Sequence, residues 1–145
     1  MATNDIYNSK LRYDRFKENL NDFLIDPKSK TRTKRKYFCK NAQNMKYFDS
    51  LFKKFESTDI SYIRRLKLLN TFKIALHVLD KDLSKCNRDD IDSIMVFMHT
   101  VNKSPKSKSD FIRDIKYIWK IILPDKDEKG RIDGTIVPYA VRHLS

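Results

Sequence analysis

The chain has 145 residues, with 31 Lys and Arg against 19 Asp and Glu, for a formal net charge of +12. Hydrophobic residues make up 40% and aromatics 12%, which excludes a disordered chain. Two glycines and four prolines leave too little punctuation for the many tight turns of an all-β fold, so the composition favours helices around one core.

The charge excess implies an anionic partner: nucleic acid first, an anionic membrane surface second. No run approaches the ~20 apolar residues that span a bilayer. Met1 to Ile6 lacks the charged start and apolar centre of a signal peptide. Cys39 and Cys86 form no CxxC pair, which fits a reducing interior. The expected compartment is the cytoplasm.

In chain order, residues from about Tyr7 to Leu24 place Leu11, Phe16, Leu20 and Phe23 near helical spacing, and Asp26-Pro27 ends the pattern. This helix either packs on the main core or stands apart as an arm. From Lys28 to Lys40 there are seven basic residues and no acidic one. Lys34, Arg35 and Lys36 lie at the centre of this segment, which reads as a solvated arm that orders on a polyanion, as a plain basic linker, or as a localisation signal. A helix from about Asn44 to Phe55 buries Met45, Phe48, Leu51, Phe52 and Phe55 and turns Lys46, Lys53 and Lys54 outward. Ser57, Thr58 and Asp59 offer caps for a long helix to about Leu79, whose outer face shows Arg64, Lys67 and Thr71, with Asn70 beside them.

The next two helices make the most informative stretch. The first, at about 87–101, opens on Asn87 with Asp89 and Asp90 in its first turn, where the helix dipole favours negative charge. The second, at about 107–123, opens with Ser107 and Asp110 in capping-box spacing. It buries Phe111, Ile115, Ile118, Trp119 and Ile122, and stops before Pro124. Lys106 and Lys108 sit at its start, and Arg113, Lys116 and Lys120 recur along one side. One face suits a core and the other an anion. After Pro124, a charged loop containing both glycines reads as a flexible connection to a short last turn.

Asn87-Arg-Asp-Asp-Ile91, Lys106-Ser-Lys-Ser-Asp-Phe111 and Ile115-Lys-Tyr-Ile-Trp-Lys120 together resemble the last two helices of the core-binding domain of tyrosine recombinases, in the archaeal-type, phage-integrase-like branch. Val137-Pro-Tyr-Ala-Val141-Arg-His143 echoes the tail that follows them in that family, and the similarity runs from roughly Asn44 to Leu144. The resemblance implies an all-α fold, a small orthogonal four-helix bundle of the SAM-like kind, here with an extra N-terminal helix and a basic arm. It divides the chain into 1–42 (helix and arm), 43–123 (core-binding domain) and 124–145 (tail toward a catalytic domain). It also implies double-stranded DNA as the partner, with Arg64, Lys67, Asn70 and Thr71 facing the duplex, in a half-clamp for DNA integration and recombination beside a catalytic domain or other protomers.

The family's catalytic His-x-x-Arg element and nucleophilic tyrosine have no counterpart here, since Arg142-His143 is not that element. His77, His99 and His143 make no metal-ligand spacing with the cysteines, and no phosphate-cradling glycine-rich loop occurs. The sequence therefore suggests no enzyme and no cofactor. The DNA-facing set expected is Arg64, Lys67, Asn70, Thr71, Lys106, Lys108, Arg113, Lys116 and Lys120, together with Lys34, Arg35 and Lys36. Two other readings compete. One is a small helical adaptor whose basic face docks on an acidic protein. The other is a helix-turn-helix regulator, which the glycine-free turn Asn102-Lys-Ser-Pro-Lys fits poorly.

Overall fold

The structure is a computed structural model that describes residues 8–23, 37–101 and 105–145, and of 105 and 106 the backbone alone. The chain is all-α. Among the described residues six helices follow in order: α1 (Ser9–Glu18), α2 (Tyr47–Ser57), α3 (Tyr62–Val78), α4 (Arg88–Val101), α5 (Pro105–Ile122) and the one-turn α6 (Tyr139–Arg142). Short 3-10 turns precede α2 and α4 and follow α1. An isolated bridge pairs Lys126 with Ile132.

Phe48 of α2 is fully buried at the meeting point of the elements. Its ring lies 5.0 Å from Phe72 of α3, 5.6 Å from Phe16 of α1 and 5.8 Å from Phe23. Most of these contacts are edge-on, the arrangement that ring quadrupoles favour, and each buried aromatic side chain contributes about 1.5–3 kcal/mol. The remaining faces follow helical periodicity: Leu68, Leu69, Phe72, Ala75 and Leu76 from α3, Ile91, Ile94 and Met98 from α4, and Phe111, Ile115, Ile118, Trp119 and Ile122 from α5.

The first helix belongs to this core. Tyr13 is 2% exposed and packs edge-on against Phe52 and Phe55, and the Arg65 guanidinium lies 4.3 Å over Tyr62 and 5.0 Å over Tyr13. The expected break between 1–42 and 43–123 is thus not a break in packing, because α1 and Phe23 cover aromatic surface that α2 and α3 leave open. The tail behaves likewise. Val141 and Leu144 are buried, Arg88 of α4 stacks 3.6 Å over Tyr139, and His143 Nε2 meets Asp92 at 2.7 Å. The loop expected to be flexible is hydrogen-bonded: Asp127 accepts from the Lys129 and Arg131 N–H groups, both at 2.9 Å. Gly130 takes the left-handed φ of 78° that this turn needs.

The helix ends show which local signals dominate. At α4 the expectation holds in full. Asn87 Oδ1 accepts from the Asp90 N–H at 2.9 Å, and Asp90 Oδ2 accepts from the Asn87 N–H at 3.0 Å, a reciprocal capping box. At α3 the cap is Ser61, which accepts from the Arg64 N–H at 3.2 Å. Ser57 instead completes α2. At α5 the helix starts at Pro105, before the expected Ser107, because proline's fixed φ suits the first helical turn.

Asn44 and Asp82 clamp the approach to α2 onto the α3–α4 turn. The fully buried Asn44 donates to the Lys81 carbonyl and accepts from the Leu83 N–H, both at 2.9 Å. The carboxylate of Asp82 accepts from Lys46 Nζ at 2.7 Å, from the Tyr47 hydroxyl, and from the Ser84 N–H at 3.0 Å. Lys46, then Tyr47 and Ser84, hold its pKa well below the ordinary carboxylate value. A depressed folded-state pKa gives stability that is complete above the unfolded value, near ~3.9, and lost as pH falls below it. Thermal unfolding monitored by circular dichroism should therefore show a steep loss of melting temperature below about pH 4. Asp82→Asn should melt earlier at neutral pH and flatten the acid slope; an unchanged slope would remove Asp82 from that role.

Candidate nucleic-acid interface

The structure redistributes the residues expected to face DNA. On α3, Thr71 is buried (6% exposed) because it lies in the same row of turns as the buried Leu68 and Ala75, so it offers nothing to a duplex. Arg64 turns toward α5, where its Nη1 lies 2.8 Å from Oδ1 of Asp114, a carboxylate with no solvent exposure. This contact is Coulombic and not aligned as a hydrogen bond. The Arg64 guanidinium also sits 5.8 Å over the Tyr117 ring. Lys67 lies 3.5 Å from Asp110 and 4.0 Å from Asp114. Two of the four α3 candidates thus face α5 carboxylates, one is buried, and Asn70 is exposed.

On α5 the basic side chains Arg113, Lys116 and Lys120 stay on the outer side. Arg113 is 65% exposed in its side chain, held loosely by Asp110 three residues back at 3.2 Å. Lys116 and Lys120 follow on the same outer side, half-buried, with no carboxylate within 4.0 Å among the described residues. Lys108 is also half-buried, but it lies about 140° around the helix from Arg113 and does not join this stripe. Lys106, by its side chain, and Lys34, Arg35 and Lys36 fall outside the described residues.

At its C-terminal end the stripe runs into a cleft of about 720 Å³ between α2, α5 and the loop after Pro124. Lys53 and Lys54 from α2 and Lys120 from α5 line it, with the hydroxyl-bearing Ser50, Ser57, Tyr117 and Thr135 between them. No acidic residue lines the cleft, and neither Lys53 nor Lys54 has a carboxylate within 4.0 Å among the described residues. Three ammonium groups held without counter-charge attract an anion, and the hydroxyls add hydrogen-bond capacity for its oxygens. Sequence reasoning placed Lys53 and Lys54 outward but outside the site. The available signal was a lysine pair opposite a largely aromatic face.

Other candidate chemistry is absorbed by packing. Burial raises the thiols of Cys39 and Cys86 to about 11, which keeps them protonated and unreactive at neutral pH. His77 Nδ1 accepts from the Phe38 N–H at 3.4 Å amid the rings of Tyr37, Phe38 and Phe97, and burial lowers its pKa. Among the described residues no three His, Cys, Asp or Glu side chains are placed to share a metal ion, and no helix is long and apolar enough to cross a membrane.

Compared with protein families, with curated proteins and with solved structures, the chain matches none. The candidate interface therefore rests on its own geometry. Removing one partner of a buried ion pair strands the other, at about 3–5 kcal/mol. Arg64 is one-third exposed and Lys67 stays near Asp114, so Arg64→Ala should cost about 2–3 kcal/mol in urea unfolding. The double variant Arg64→Met/Asp114→Leu should recover most of that loss. A neutral single variant would show that the pair is not holding α3 to α5.

Proposed function

We propose that this chain is a duplex-DNA-binding domain that lays the outer face of α5 and the adjoining α2 cleft against the phosphate backbone. The observation that carries the reading is the alignment of Arg113, Lys116 and Lys120 with Lys53 and Lys54, five cations on one continuous surface. From Arg113 to Lys120 is two helical turns, about 10 Å, which spans about three phosphates of one strand at ~3.4 Å of axial rise each. Phosphate contacts of this kind set position and most of the affinity. Any sequence preference falls to exposed polar side chains such as Asn70 and Arg113.

The resemblance of 44–144 to the core-binding domain of tyrosine recombinases supports the finer form of the proposal. In that form the helices make a small orthogonal bundle that acts as half of a clamp, and a catalytic domain elsewhere performs the strand chemistry of integration and recombination. The Lys28–Lys40 segment would extend the contact along the duplex.

Affinity for a ~30-base-pair duplex, measured by fluorescence anisotropy across a salt series, tests the reading. Each phosphate neutralised adds about 0.9 to the slope of log affinity against log salt. Lys53→Ala/Lys54→Ala/Lys120→Ala should flatten that slope by about two to three, whereas Arg64→Met/Asp114→Leu should leave it unchanged. No binding at low salt and micromolar protein would overturn the proposal and favour an acidic protein partner.

A further inference from the structure

A second cavity, of about 250 Å³, opens between the start of α1 and the outer face of α3, away from the α2–α5 cleft. Ser9 and Arg12 of α1 and Lys67 and Asn70 of α3 supply its polar lining, over Ile63 and Leu66. Every one of those four polar side chains carries a donor, and among the described residues no carboxylate lines the cavity.

Ser9 is the informative residue. It is 2% exposed, and its hydroxyl has no hydrogen-bond partner. Buried hydroxyls are ordinarily paired, so an unpaired one in a residue that borders a cavity leaves a spare donor within a rotamer change of it. An acceptor there should be negative. Ser9 opens α1, at the positive end of the helix dipole. Asn8 before it is left-handed at φ 52° and makes no side-chain cap, and the first turn of α1 contains no acidic residue. Arg12, one turn on, is exposed and has no carboxylate within 4.0 Å among the described residues. Lys67 lies 3.5 Å from Asp110 and 4.0 Å from Asp114, longer than a charge-assisted hydrogen bond, so its ammonium can share a nearer anion without leaving those carboxylates.

We propose that this cavity seats one phosphate group. The Ser9 hydroxyl and the start of α1 meet one oxygen, Arg12 forks across two, and Lys67 and Asn70 close the α3 side. The ligand is either a phosphodiester of a DNA backbone, which rests on the DNA-binding reading above, or free inorganic phosphate, which does not.

Titration of the whole chain with inorganic phosphate at constant ionic strength, followed by amide NMR, decides it. The backbone amides of Ser9 and Arg12 and the side-chain amide of Asn70 should move saturably. Arg12→Ala should weaken that binding about tenfold, as expected for a lost charge-assisted hydrogen bond, while Lys53→Ala/Lys54→Ala/Lys120→Ala leaves it intact. If Arg12→Ala also lowers the salt slope of duplex binding by about one, the seat holds a backbone phosphate. If it leaves that slope unchanged, the seat serves free phosphate. Absence of saturable shifts, or shifts that persist unaltered in Arg12→Ala, would overturn the site, whatever the outcome of the DNA experiments.

Discussion

A carboxylate without access to water must be met by a cation, and the buried Asp114 imposes that requirement on everything around it. It draws Arg64 out of the solvent and brings Lys67 near, and so fixes how α3 lies against the N-terminal half of α5. With α3 on that side, Phe111, Ile115, Ile118 and Trp119 face the core, and Arg113, Lys116 and Lys120 are left on the opposite side. Helical periodicity puts the basic stripe opposite the core face, and the buried charge helps fix which way that face docks. Arg64 has a structural role, and α5 presents Lys116 and Lys120, with no carboxylate within 4.0 Å among the described residues, beside Arg113 with its neighbour Asp110.

The same division runs through α2. Five of its residues (Tyr47, Phe48, Leu51, Phe52 and Phe55) are buried, and the charged remainder is pressed to the outer surface, where Lys53 and Lys54 meet Lys120 across the cleft. Net positive charge of this size destabilises a compact state through self-repulsion. The chain offsets it locally where structure requires, with Asp82 against Lys46 and Asp114 against Arg64, and leaves it uncompensated at the cleft. A surface left repulsive in the free protein is one that gains most from a polyanion.

Much of the fold was legible in the sequence, because α2, α4 and α5 carry strong 3.6-residue periodicity and Asn87 with Asp90 specify a helix start almost unaided. The core faces of α2 and α5 were read correctly for the same reason. Helix starts set by weaker signals were not: Ser57, Ser61 and Ser107 are all competent caps, and only packing shows that Ser61 serves α3. The site was half legible. Periodicity places Arg64, Lys67 and Thr71 on one side of α3, but it does not reveal that the row containing Thr71 is covered or that a carboxylate 50 residues later claims Arg64. The α1 cavity was not legible at all, since it depends on α1 docking against α3 through Tyr13 and Arg65, a long-range choice with no local signature.

The most direct test of this division of labour is the map of backbone amide shifts when a short duplex is added to the isotopically labelled chain. The account predicts that the largest changes fall on 113–120, on Lys53 and Lys54 and on the loop at Thr135, with Val96 and Val101 on the exposed side of α4 unmoved. Changes centred on α4, or spread evenly over the surface without a maximum on α5, would contradict it.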